Sequence, residues 1–239
     1  MSKKVINQKT NYNFELLNSI DSNFVFSEKP INRLRNDYSS NKLEAVKKSK
    51  ALDQLKDELN SIEDCSLKNN AHNIVLGSGN IHSPIMLIGG APGIDESKLG
   101  KPFMGEAGDL LKKMLIAINI KKENIYSTYA VNFRPPEDRK PTSVEIKRYS
   151  LYLQKHISII KPKIIILMGS TSMEALTGIN SKISGERGKW KEIIINNKTY
   201  PIMITFNPSY LIRFPENKKF SWEDLKMIKQ KILDLKIKI

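Results

Sequence analysis

The stretch IMLIGGAPGIDESKLGKPFMGEAGDLLKKM, running from Ile85 to Met114, decides the fold. Ile85-Met86-Leu87-Ile88 is a short apolar run suited to a buried strand. It breaks into Gly89-Gly90-Ala91-Pro92-Gly93, a turn that suits small residues and proline. A polar loop follows, with Asp95 and Glu96, then Phe103 and a second glycine cluster at Gly105 and Gly108. An amphipathic helix comes next, with Leu110, Leu111, Met114 and Leu115 on its inner side. Strand, glycine turn, loop and helix in that order build a cleft at the carboxyl end of a strand, where open α/β sheets bind ligands. The turn is neither a phosphate loop, since no Gly-Lys-Ser/Thr follows, nor the G-x-G-x-x-G dinucleotide fingerprint.

Outward from this stretch, strands and helices alternate. Leu52, Leu55, Leu59 and Ile62 recur at helical spacing within 41–62, with Asp53 and Asp57 on the solvated side. Ile125 to Val131 reads as a second strand and leaves the sheet at Arg134-Pro135-Pro136. Thr142 with Glu145 marks a helix start, and Ile146, Tyr149, Leu153, Ile157 and Ile160 form that helix's buried face. Lys163 to Met168 suits a strand buried on both sides, and a further helix ends near Gly178. Lys189–Asn196 and Thr199–Phe206 pair as a hairpin about Asn196-Asn197. A terminal helix carries Trp222, Leu225, Ile228, Ile232 and Leu235. The expected architecture is a three-layer α/β/α domain over residues 43–239 with about four central, mostly parallel strands. Residues 1–42, rich in Asn, Ser and Lys, are expected to form a loosely ordered extension with one short helix about Asn13–Ile20.

Over 239 residues, 40% hydrophobic and 27% charged content is ordinary for a globular chain, whereas a formal net charge of +14 is not. It favours a polyanionic partner, most simply nucleic acid, over a membrane or an acidic metabolite. The other reading of the charge is compositional, since the chain is rich in Lys, Ile and Asn. With a single cysteine, Cys65, the chain can form neither an internal disulfide nor a thiolate-built cluster. A reduced, cytoplasmic setting is expected: the first residues lack the apolar core of a signal peptide and no run reaches membrane-spanning length.

The loops after the four strands converge on one sheet edge. They bring an aromatic platform, amides and carboxylates together with Arg134, Arg139 and Arg213, a mix suited to a flipped base whose phosphates meet cations. Lys182 to Lys189 adds a basic loop for a duplex backbone.

The Ile85–Met114 composite resembles the first motif of the family-4 uracil-DNA glycosylases, close to GEAPG-x-x-E-D-x-x-G-x-PF-x-G-x-AG-x-LL. Asn132-Phe133-Arg134-Pro135-Pro136 with Arg139 is similar to the family's RPP-x-x-R segment. Gly185-x-Arg187-Gly188-x-Trp190 is similar to its RG-x-W loop. Asn207-Pro208-Ser209-Tyr210-Leu211-Ile212-Arg213 is similar to its closing H-P-S-Y-L-L-R motif. The resemblance, from about Leu52 onward, implies hydrolysis of the N-glycosidic bond of uracil, or of another deaminated base, in single- or double-stranded DNA by a monomer. Phe103 would stack the base, with Gly90, Ala91, Pro92, Gly93 and Tyr129 around it. Arg134, Arg139, Arg187, Lys189, Ser209 and Arg213 would meet the DNA.

Three positions depart from the family. Gly90 replaces the motif glutamate, Tyr129 an asparagine that reads the base edge, and Asn207 a histidine that donates to the departing uracil. Asn207 retains an amide donor for that role, though a weakened donor typically costs on the order of 10²–10³ in rate. Glu96, and after it Asp95, are the carboxylates expected to orient the water. Asn132 cannot stand in for Tyr129, because an odd step along a strand faces the other way. The family often holds an iron–sulfur cluster on four cysteines. Here Cys65 stands at the first position, Lys68 at the second and Phe133 near a third. No cluster and no metal are therefore expected, and Cys65 reads as a small buried residue. A catalytically inactive DNA-binding descendant, keeping Phe103 and the cationic rim, is the alternative reading.

Overall fold

The computed structural model describes residues 33–63 and 65–238. The short helix expected about Asn13–Ile20 lies outside them. Helix α1 (Arg33–Asn60) opens before the expected start at Asn41. It is followed by α2 (Ser66–Asn70), β1 (Ser78–Gly79), β2 (Ile85–Gly89), α3 (Ile94–Leu99) and α4 (Gly105–Ala117). Then come β3 (Ile125–Tyr129), α5 (Ser143–Ile160), β4 (Ile164–Met168), α6 (Ser170–Thr177) and α7 (Ile183–Glu186). The order closes with β5 (Trp190–Ile195), β6 (Lys198–Thr205), α8 (Pro208–Arg213) and α9 (Lys218–Asp234).

The strands form one mixed sheet in the order β1-β3-β2-β4-β6-β5. Its four central strands are parallel, as expected. Two antiparallel edges extend it: β5 is the hairpin partner of β6, and β1 pairs with β3 through Ser78 and Gly79. Two residues are too short to carry a period, so the β1 pairing had no pattern to announce it.

Alternation along the central strands assigns side chains to the two layers. Ile165 and Leu167 of β4 join Met86 and Ile88 in a core with Leu55 and Leu59 of α1, Ile157 and Ile160 of α5, and Met173 of α6. Ile164, Ile166 and Met168 face the other way, with Ile85 and Leu87, onto Leu111 of α4 and Leu225, Ile228 and Ile232 of α9. Helices on both sides of a parallel sheet complete the three-layer α/β/α arrangement.

Local chemistry fixes the boundaries. Thr142 caps α5 by accepting from the Glu145 amide, while the Glu145 carboxylate accepts from the Thr142 amide at 2.7 Å, a reciprocal pair that satisfies two free donors. Asn196 and Asn197 take φ of 48° and 59°, the left-handed pair that a two-residue hairpin requires. The expected face of α9 needs correction at its ends. Leu225, Ile228 and Ile232 are buried, but Trp222 is 44% exposed and Leu235 39%. Ser221 and Asp224 take the inner positions instead, because Asp224 is drawn inward to an arginine.

Candidate active site

Parallel strands share one carboxyl edge, and the loops leaving β2, β3, β4 and β6 meet there around an open cleft of about 750 Å³. Gly90, Ala91, Pro92 and Gly93 line it from the first loop, Tyr129 and Arg139 from the second, Gly169 and Thr171 from the third, and Asn207, Ser209 and Arg213 from the fourth. Phe103 and Met104 close the remaining side and also line a second hollow against α4.

Phe103 is half-buried, with φ of 54°, a conformation that costs a non-glycine residue on the order of 1 kcal/mol or more. Two contacts hold it there. The Phe103 amide donates to the Tyr129 hydroxyl at 3.0 Å, and the Met104 amide donates to Glu96 Oε1 at 3.1 Å. The turn also needs Gly108, where a Cβ would come within 2.0 Å of the Phe103 carbonyl oxygen. The rings of Phe103 and Tyr129 sit 5.0 Å apart, tilted by 37°.

Tyr129 is buried where it borders the cleft, with its ring beside that of Phe103. Its hydroxyl donates to Glu96 Oε1 at 3.2 Å. Burial, with the Glu96 charge beside it, pushes the phenol pKa well above its ordinary value, so the hydroxyl stays protonated. Glu96 is buried as well, and Oε2 accepts from the Gly93 amide at 3.0 Å. Its carboxylate therefore answers three donors of the protein.

Asp95, the second of the expected water-orienting pair, is exposed and lines the cleft. Its Oδ2 would lie 2.8 Å from a Cβ at Gly105, so the missing side chain leaves the carboxylate its room. Asn207 caps α8, its Oδ1 accepting from the Ser209 amide at 2.9 Å. That bond fixes the amide's orientation and leaves Nδ2, with no acceptor among the described residues, as a donor at the cleft. Gly90 abuts Thr171, whose Cβ would be 3.1 Å from an added Cβ. The close neighbour leaves little room there for the family's glutamate. Asn132 lies in a bend past the end of β3, where strand alternation no longer applies; it is buried and donates to the Val75 carbonyl at 2.9 Å.

The residues expected on DNA divide into three groups. Arg139, Ser209 and Arg213 line the cleft, although Arg139 also grips Glu145 through two bonds of 2.8 and 2.7 Å. That grip holds the Glu145 pKa down to about 2. Arg134 forks onto Asp138 at 2.7 and 2.8 Å, and Lys189 is exposed beside the Gly185 carbonyl. Arg187 turns inward, away from the expected backbone contact. It pairs with the fully buried Asp224, bonding Oδ2 at 3.0 Å, and lies between the rings of Phe206 and Phe220. Burial raises the Asp224 pKa, which Thr205 and Arg187 oppose by hydrogen bonds. Sequence reasoning missed Asp224 because its partner lies 37 positions away and nothing local marks the pair.

The residues around Cys65 do not fit an iron–sulfur cluster. Its thiol is buried and bonds the Tyr149 hydroxyl at 3.1 Å, and the Phe133 ring packs edge-on against Tyr149 at 6.3 Å. Cys65 is the chain's one cysteine. Among the described residues, no group of three or more His, Cys, Asp or Glu side chains stands together as a metal site. Nor is any helix among them long and apolar enough to cross a membrane.

This cleft sits in a region shared with known proteins. The family model of the uracil DNA glycosylase superfamily matches residues 76–227, which runs from just before β1 into α9. The type-4 uracil-DNA glycosylase of Thermotoga maritima is 35% identical over 168 residues, covering 69% of this chain and 86% of the relative. That of Sulfurisphaera tokodaii is 36% identical over 188 residues, covering 75% and 84%. A DNA polymerase of Bacillus phage SP01 is 33% identical over 153 residues, 64% of this chain but 16% of the polymerase. The shared span carries every loop of the cleft, and on that ground the chain belongs to the uracil-DNA glycosylase superfamily.

Proposed function

We propose that this protein is a uracil-DNA glycosylase that hydrolyses the bond between uracil N1 and deoxyribose C1′ in DNA. The observation that carries the reading is Phe103, a strained aromatic held at the wall of an open cleft in a chain of this family. A uracil turned out of the stack lies against that ring. As the glycosidic bond lengthens, its electron pair moves onto the base, and the Asn207 Nδ2 amide donates to the oxygen where the charge gathers. Asp95 holds the water that attacks C1′ and takes its proton. Glu96 serves as the clamp on the loop, because its oxygens already accept from Gly93, Met104 and Tyr129. Arg139, Ser209 and Arg213 at the cleft meet phosphates flanking the extruded nucleotide. Every role in this reading falls to a residue of this chain.

The test uses a duplex and a single-stranded oligonucleotide, each with one uracil, incubated with protein and then treated with alkali. Strand breakage at the uracil, lost in Asp95→Asn, is the expected result. Intact strands at stoichiometric protein would overturn the proposal. Binding of the same oligonucleotides without breakage would instead favour the DNA-binding descendant.

A further inference from the structure

Beyond the cleft, three aromatic residues recur at intervals of four: Phe206, Tyr210 and Phe214. On α8 and its flanks that spacing stacks their rings along one side. Phe206 and Tyr210 lie 5.0 Å apart at 23°, and Tyr210 and Phe214 lie 4.8 Å apart at 37°. The ladder rises out of the protein. Phe206 is buried, Tyr210 half-buried, and Phe214, at the end of the stack, is 45% exposed. Its lower rungs line the cleft, as does Arg213 beside the last one.

The charge around Phe214 has one predominant sign. Arg213, Lys218 and Lys219 surround it in sequence, and none of the three pairs with a carboxylate among the described residues. Lys218 and Lys219 open α9, whose first turn holds no acid. Cations at that end oppose the helix dipole, an arrangement that an anion would relieve. Glu216 is the one acid in the segment, and it accepts from Asn217.

We propose that Phe214, backed by Tyr210 and Phe206, is a stacking platform for an unpaired nucleobase of the strand that enters the cleft, with its phosphates on Arg213, Lys218 and Lys219. The assignment of DNA as occupant rests on the glycosylase reading; the platform itself is read from the ladder and its charge. An exposed ring continuous with a buried stack is preorganised, and stacking on it is indifferent to sequence because every base has a flat face. A paired base is already stacked on both sides, so the platform favours single strands.

The test measures affinity for a short uracil-free single-stranded oligonucleotide and for a fully paired duplex of the same sequence. Phe214→Ala should weaken single-strand binding about tenfold and duplex binding less than twofold. Phe214→Trp should retain the affinity, and its fluorescence should be quenched by the single strand. Phe214→Leu, which keeps an apolar side chain without the ring, should behave as alanine does if the face of the ring matters. Unchanged single-strand affinity in the alanine variant, an equal loss on both DNAs, or an unquenched tryptophan would each overturn the platform. Uracil release is assayed separately. Its absence with the single-strand result intact counts against the glycosylase alone, and normal release with an unaffected Phe214→Ala counts against the platform alone.

Discussion

The Tyr129 hydroxyl lies 3.2 Å from Glu96 Oε1 and accepts the Phe103 amide at 3.0 Å, so one oxygen ties a buried carboxylate to the backbone of the ring at the cleft. Tyr129→Phe keeps the packing and deletes that tie. A part-buried amide then loses its acceptor and a buried carboxylate one of its donors, at a cost of about 1–3 kcal/mol. The melting temperature should fall by roughly 2–4 °C per kcal/mol. Because Phe103 has a positive φ that the tie helps to hold, uracil release should weaken mainly through KM. Thermal unfolding and steady-state kinetics check both; a variant that melts and turns over like the parent would mean the hydroxyl is idle.

The two neighbouring carboxylates separate by their partners. Asp95 is exposed at the cleft, whereas Glu96 serves Gly93, Met104 and Tyr129. Asp95→Asn removes the proposed acceptor for the water's proton and should lower kcat by about 10²–10⁴ with no change in melting. Glu96→Gln must turn an amide nitrogen toward at least one protein donor, and should cost about 1–3 kcal/mol of stability. If the asparagine variant kept its rate while the glutamine variant lost it without melting earlier, the roles would be reversed.

The sequence carried most of the fold because its signals were local. The Thr142 and Glu145 pair announced a helix start, Asn196-Asn197 a hairpin, and the Ile164 to Leu167 run a strand covered on both sides. At the site, glycine spacing and Phe103 were legible for the same reason. What escaped depended on partners distant in sequence. Nothing beside Arg187 says that Asp224 will draw it inward, and nothing beside Tyr129 says that its hydroxyl will meet Glu96, 33 positions away. Trp222 was assigned to the interior by its period, but the ion pair at Asp224 sets which positions of α9 turn inward.

Asn207 combines two duties that substitutions can separate. Its Oδ1 caps α8 and its Nδ2 is the proposed donor. Asn207→Ser keeps a capping oxygen but shortens the side chain and removes the amide, so uracil release should slow on the order of 10²-fold while melting changes little. Asn207→Asp also caps, yet sets a negative charge where negative charge develops, and should be slower still. Asn207→His supplies a donor of greater reach and should raise kcat above the parent. Equal rates for the serine and parent proteins would remove Asn207 from the chemistry.

Acid stability should be governed in part by His156, far from the cleft. Its ring is buried, bonds the Tyr126 hydroxyl at 2.9 Å and stands edge-on to the Tyr126 ring. Burial pushes its pKa down to about 3, against roughly 6.5 in the unfolded chain. Between those values the unfolded state binds the proton and the native state does not. Stability is therefore intact above about pH 6.5 and falls as the pH drops toward 3. At pH 5 the loss from this group is about 2 kcal/mol. Gln at this position can still meet the Tyr126 hydroxyl but does not titrate. His156→Gln should therefore flatten the decline between pH 7 and pH 5 by about that amount, read from urea midpoints at the two pH values. A decline just as steep in the variant would assign the acid sensitivity to other groups.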